Sequence, residues 1–119
     1  MAAVALNKFR TIRTGITTEM VGIYTCPLGV ASIVTLCQVT NVSSGSSLGT
    51  YNVTATHSRD TEVKVDYKFA NDIKVPPNDG INLIPDGKLA LETNDIIKIQ
   101  ASDEYQLELI LSVLETAKQ

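Results

Sequence analysis

Between Glu62 and Phe69 the chain alternates strictly between charged and apolar side chains. Val63, Val65, Tyr67 and Phe69 fall on one phase, and Glu62, Lys64, Asp66 and Lys68 on the other. A period of two marks a strand with one buried and one wet face. The pattern therefore predicts a strand over 62–69 that buries those four side chains, each contributing roughly 1.5–3 kcal/mol when fully covered. Past Val75, the run Pro76-Pro77-Asn78-Asp79-Gly80 cannot continue a central ladder. The prolines lack N–H donors, and Asn-Asp-Gly supplies turn formers. An apolar patch (Ile81, Leu83, Ile84), a second turn at Pro85-Asp86-Gly87, and Leu89 and Leu91 complete the stretch. Strand, corner and return over Thr61–Glu92 read as one antiparallel unit.

The rest of the chain repeats the theme. Lys8–Ile16 alternates weakly, as an edge strand or arm would. Met20–Cys26 is apolar and β-rich, and Pro27-Leu28-Gly29 turns it. Ala31–Val42 carries apolar residues on both phases and reads as a central strand with both faces partly covered. The Ser/Gly run 43–49 reads as a surface loop. Thr50–Ser58 alternates cleanly, with Tyr51, Val53, Ala55 and His57 on one phase. Arg59-Asp60 reads as a short turn pairing that strand with 62–69. Lys88–Glu92 and Ile96–Ala101 are further short strands, separated by Thr93-Asn94-Asp95. Tyr105–Glu115 fits a helix, with Leu107, Ile110, Leu111 and Leu114 as its band, or a strand, with Leu107, Leu109, Leu111 and Val113 inward. Its surroundings, strands and hairpin-length turns on every side, favour the strand. Eight or nine short strands predict an all-β fold, a single antiparallel β-sandwich of Ig-like or jelly-roll type. Residues 1–14 form its N-terminal arm or edge strand and 15–119 the sandwich domain.

Composition narrows this picture. At 119 residues, 44% apolar and 19% charged, the chain suits one globular domain. With no Trp and 5% aromatics, the core must be aliphatic. No apolar run approaches the ~20 residues that span a bilayer. The basic residues near the N-terminus follow a very short apolar run, the reverse of a secretory signal, so a cytosolic origin and no membrane partner are expected.

The net charge of −3 is unevenly spread. Residues 1–59 carry Lys8, Arg10, Arg13 and Arg59 against Glu19, while residues 60–119 carry six lysines against twelve acids. This asymmetry is either a featureless solvated surface or the sign of a contact in which Lys8, Arg10 and Arg13 dock on an acidic surface of a neighbouring copy or partner. Three cations on an acidic domain are too few for a nucleic-acid partner.

Candidate chemistry is sparse. His57, the single histidine, sits on the apolar phase of a strand and reads as a satisfied core or interface residue. It has no Cys or carboxylate motif beside it for zinc. If 27–30 closes a hairpin, Cys26 and Cys37 lie several rungs apart and remain two buried free thiols. The acids in turns (Asp79, Asp86, Asp95, Asp103) match no calcium loop, and turn chemistry explains them. The sequons at Asn41 and Asn52 have no secretory context. With no phosphate loop, nucleophile elbow or triad signature, no catalytic residue, metal or cofactor is assigned and an enzyme is not expected. Apolar residues on both phases of Ala31–Val42 and Ile96–Ile99 predict a homo-oligomer, with a trimer placed slightly ahead of a dimer.

The order of NKFRTI (7–12), IYTCPLGVASIVTLCQVTNV (23–42), VPPNDGINLIPDGKLALETND (75–95) and LELILSVLE (107–115) resembles small virion structural proteins of tailed phages. The likeness is greatest to those of T4-like phages that infect cyanobacteria. It spans nearly the whole chain, is most specific at Ile23–Pro27, Val75–Leu83 and Gly87–Glu92, and lapses over 43–60. The resemblance implies a structural component of the virion, made in the host cytoplasm, with other virion proteins as partners and no catalytic residues. It leaves open the capsid exterior, the neck and the tail or baseplate. The alternative is a host-surface or fibre-attachment module of the tail, although shallow sugar sites usually use aromatic platforms that this composition scarcely provides.

Overall fold

The computed structural model describes residues 7–117, which form nine strands in two antiparallel sheets. These are β1 (Asn7–Gly15), β2 (Val21–Thr25), β3 (Val30–Asn41), β4 (Tyr51–Ser58), β5 (Asp66–Val75), β6 (Gly80–Asn82), β7 (Leu89–Leu91), β8 (Ile96–Ala101) and β9 (Leu107–Ala117). One sheet runs β1-β9-β3-β6, with β7 beside β6 on the same edge of β3. The other runs β2-β8-β4-β5.

The pairing has a simple logic. The first strand pairs with the last, the second with the last but one, the third with β6 and β7, and the fourth with the fifth. The chain is thus one long antiparallel ribbon folded back at the β4–β5 hairpin and rolled so that successive pairs alternate between sheets. Of the two sandwich topologies the sequence allows, this is the jelly roll.

The inner layer is aliphatic, as a chain without Trp requires. From β9 come Leu107, Leu109, Leu111 and Val113, and from β3 Val34, Cys37 and Val39. Val53, Ala55, Ile97 and Ile99 face them from the other sheet. β9 is a strand, and its odd-numbered side chains from Leu107 to Glu115 are buried while Glu108 and Ile110 face out. That inward row, at roughly 1.5–3 kcal/mol for each fully buried side chain, is the largest single apolar contribution from any strand.

Three expectations need correction. The alternation over 62–69 does not mark the start of a strand: β5 begins at Asp66, Val63 and Tyr67 are exposed, and Phe69 is only half covered. Arg59–Val65 forms a seven-residue connection closed by the Arg59 N–H donating to the Val65 carbonyl at 2.8 Å. Two register shifts between β4 and β5, one next to Asp72 at φ 49°, then break the period of two, so the buried residues become Ala70, Ile73 (in part) and Val75. A strict alternation cannot report burial across a bulge, because each extra residue moves the following side chains to the other face.

The return after the Pro-Pro corner does not pair with β5. Residues 76–79 carry the chain across to the opposite sheet, where both β6 and β7 pair with β3. Likewise 26–29 joins strands of different sheets and closes no hairpin. Cys26 and Cys37 are nevertheless both buried and free: Cys26, in the β2–β3 connection, packs beside Ser32 near the start of β3, and Cys37 lies five residues further along that strand. The cover inferred for both faces of β3 is present: its residues from Val30 to Val39 are buried or half-buried except Thr35, which sits at a break in the β3–β9 register.

Candidate functional site

The three cations singled out by the sequence lie on β1, the edge strand of its sheet, but not on one face. Register against β9 sets Arg10 opposite Val113 and Arg13 opposite Ile110. Lys8 and Arg10 therefore share the phase of Ile12, which packs on the core, while Arg13 shares the outward phase of Phe9. The first six residues of the arm lie outside the described residues.

Arg10 is tied inward. Its Nη1 lies 3.7 Å from Glu115 Oε2, and the Arg10 side chain is 45% exposed while that of Glu115 is nearly covered. Glu115 also accepts a hydrogen bond from Tyr24 Oη at 2.5 Å. The single phenolic proton is spent there, so the Ser32 hydroxyl, 2.8 Å away, must donate to Tyr24. That leaves Ser32 Oγ free to accept from Cys26 Sγ at 3.2 Å. Burial, and next the bond to Glu115, push the Tyr24 phenol above its ordinary range. A polar relay thus crosses the sandwich from β2 through β3 to the end of β9, with Arg10 as its solvent-facing terminus.

A second cluster went unseen in the sequence. Asp95, in the turn before β8, is 1% exposed. It accepts from Arg59 Nε at 2.9 Å and Nη2 at 2.7 Å, from the Glu92 N–H at 2.9 Å, and lies 2.9 Å from His57 Nε2. Burial alone would raise its pKa, but the Arg59 fork, the Glu92 amide and His57 outweigh it and hold the carboxyl well below the usual carboxylate range. His57 is thus a satisfied, half-buried side chain. The turn-forming role of Asp95 was legible; its bonds to residues 36 and 38 positions away were not. Arg59, counted among four basic residues, belongs here and not with β1.

Among the described residues, no group of three or more His, Cys, Asp or Glu side chains is placed to hold a metal ion. Nor, among the described residues, is any helix long and apolar enough to cross a membrane. Burial pushes the Cys37 thiol up to about 12, so it stays protonated and unreactive near neutrality. A shallow depression of about 500 Å³ lies on the outer face between Arg13, Thr40, Glu108 and Ile110, and it brings together no acid–base or nucleophile pair.

No protein-family model and no curated protein matches the chain. Two solved structures share its fold. One is a chain from the disulfide-linked pili that form Bacillus endospore appendages, with a TM-score of 0.58 and 8% identity, overlapping 97% of this chain and 89% of that one. The other is a chain from the acid-stable capsid of the Helicobacter pylori bacteriophage KHP30, with a TM-score of 0.53 and 9% identity, overlapping 96% and 90%. One neighbour is a phage capsid structure. Neither comes from a T4-like phage of cyanobacteria, and at these identities the likeness is one of fold.

Proposed function

We propose that this chain is a structural component of a tailed-phage virion, a small jelly roll that decorates or joins larger assemblies and works by contact rather than catalysis. The observation that carries the reading is the end-to-end overlap of its fold with a chain of a phage capsid structure and a chain of a pilus. The motif resemblance to T4-like cyanophage proteins agrees with it. In this reading Lys8, Arg10 and Arg13 are contact residues, the partners are other virion proteins and further copies of the chain, and the preferred self-assembly is a trimer. The edge position of β1 supports the contact role, since an edge strand leaves one row of backbone groups unpaired and its side chains open to a neighbour.

Quantitative mass spectrometry of purified particles tests this. The reading expects the chain at tens to hundreds of copies relative to the major capsid protein. A few copies per particle would instead indicate an attachment module at the tail tip. Absence from purified particles would overturn the virion assignment.

A further inference from the structure

The two ends of the roll differ in kind. Four connections meet at one end: 16–20, 42–50, 76–79 and 102–106. They carry Glu19, Asp79, Asp103 and Glu104, and no lysine or arginine. Among those acids stand large apolar side chains in water, notably Tyr105 at 65% and Leu48 at 52% exposure. This end is held in shape. The Tyr105 N–H donates to the Ile16 carbonyl and the Val42 N–H to the Gln106 carbonyl, both at 2.9 Å. Thr18 Oγ1 donates to Glu104 at 2.7 Å. Gly15 lets the Tyr105 ring lie close, since a Cβ there would stand 2.8 Å from a ring carbon.

At the opposite end β1 begins. There Phe9 is 80% exposed between Lys8 and Arg10, and Leu28, on the β2–β3 turn, is 85% exposed. Of the acids at this end, Glu62, Glu92 and the buried Asp95 are engaged by Arg59, Asp66 by Lys98 and Glu115 by Arg10, while Asp60 is exposed. Lys8, with the half-exposed Arg10 that Glu115 also holds, stands at this end beside those exposed apolar groups.

We infer that the acidic loop end of one copy receives the β1 end of a second copy. Phe9 and Leu28 meet Leu48 and Tyr105, and Lys8 and Arg10 meet the acids around them. Exposed apolar residues at both ends supply the area to bury. The charge pattern decides the orientation, because acidic end against acidic end is repulsive and head to tail is attractive. Such a contact is heterologous, so copies build rings or open rows rather than closed dimers. The inference rests on the proposed structural role and names the surface through which copies join.

The test uses the full chain and two variants that leave the core untouched. Lys8→Glu with Phe9→Asp alters the β1 end. Glu19→Lys with Asp103→Lys alters the loop end. Circular dichroism melting confirms that each folds. In sedimentation velocity at low salt, the unaltered chain should associate at tens of micromolar, and each variant alone should associate at least about tenfold more weakly. An equimolar mixture of the two should regain association, because the unaltered β1 end of one, with Lys8 and Phe9, finds the unaltered acidic loop end of the other. A loop-end variant that associates as well as the unaltered chain, or a mixture that fails to recover, overturns the contact. A monomeric chain that is nevertheless abundant in purified particles also overturns it while leaving the virion role standing. A monomeric chain absent from particles removes both.

Discussion

Two acids are buried in this small core, and they are held in opposite ways. Asp95 is enclosed by a two-pronged guanidinium, a backbone amide and an imidazole, all at 2.7–2.9 Å. Glu115 has one short bond, from Tyr24, and a looser ion pair at 3.7 Å with a half-exposed Arg10. The first cluster ties the β4–β5 connection to the turn before β8 and offers little to a neighbour. The second ends in a cation on an edge strand, where a partner could compete for it. Burial of a charge therefore says little by itself about role. The number and rigidity of its partners separates a structural lock from a contact that can be shared.

The largest expected effect lies in the lock. Asp95→Asn keeps the shape but removes the charge that the Arg59 fork grips, and should cost roughly 2–4 kcal/mol in urea unfolding. The pH dependence follows with a definite sign. The folded carboxyl of Asp95 sits below its unfolded value of about 3.9. Its stabilisation is therefore fully present above that value and is lost as pH falls through the folded one. The stability gap between the unaltered chain and Asp95→Asn should begin to narrow below about pH 4 and go on narrowing as the pH falls further. Curves that stay parallel down to pH 2 would break the assignment of the lock.

The relay should respond less. Tyr24→Phe removes the donor to Glu115 and the acceptor for Ser32, at a cost of about 1–3 kcal/mol. Its unfolding midpoint should fall less than that of Asp95→Asn, and the reverse order would contradict the contrast drawn between the two acids. Smallest is Thr56, whose buried hydroxyl finds no hydrogen-bond partner among the described residues. Thr56→Val should be neutral or stabilising by up to about 1 kcal/mol, read from the same unfolding curves. The thiols give a further check away from both acids. In the native protein neither Cys26 nor Cys37 should react with iodoacetamide, and both should react after denaturation without reductant.

The legible parts of the fold were those in which local pattern and burial coincide. β9 kept a clean period of two over Leu107–Val113 because it lies between β1 and β3 and must fill the inner layer. β3 showed apolar residues on both phases, and in the structure one phase fills the inner layer while Ile33 and Leu36 on the other are half-buried. The Glu62–Phe69 alternation was as regular as either, yet Val63 stands in water, because the hairpin connection, not the pattern, decides where β5 starts. Which sheet each strand joins was also hidden. Pro76-Pro77 announces a corner and says nothing of whether the chain returns to the same sheet. The Arg59–His57–Asp95 cluster depends on the same sheet assignment, so it was out of reach of any local motif. The cations of β1 were visible as charges, but their division between an inward Arg10 and an outward Arg13 required the register against β9.

Central to the account is that stability and association reside in different clusters, and a crossed comparison tests this most directly. Asp95→Asn and Arg10→Ala are each measured by urea unfolding and by sedimentation at low salt. Asp95→Asn should lose roughly 2–4 kcal/mol of stability and, under conditions where it is folded, keep the association of the unaltered chain. Arg10→Ala should lose under about 1 kcal/mol, as expected for a long, half-exposed ion pair, and associate several-fold more weakly. An Arg10→Ala protein that is as destabilised as Asp95→Asn and associates like the unaltered chain would contradict the account.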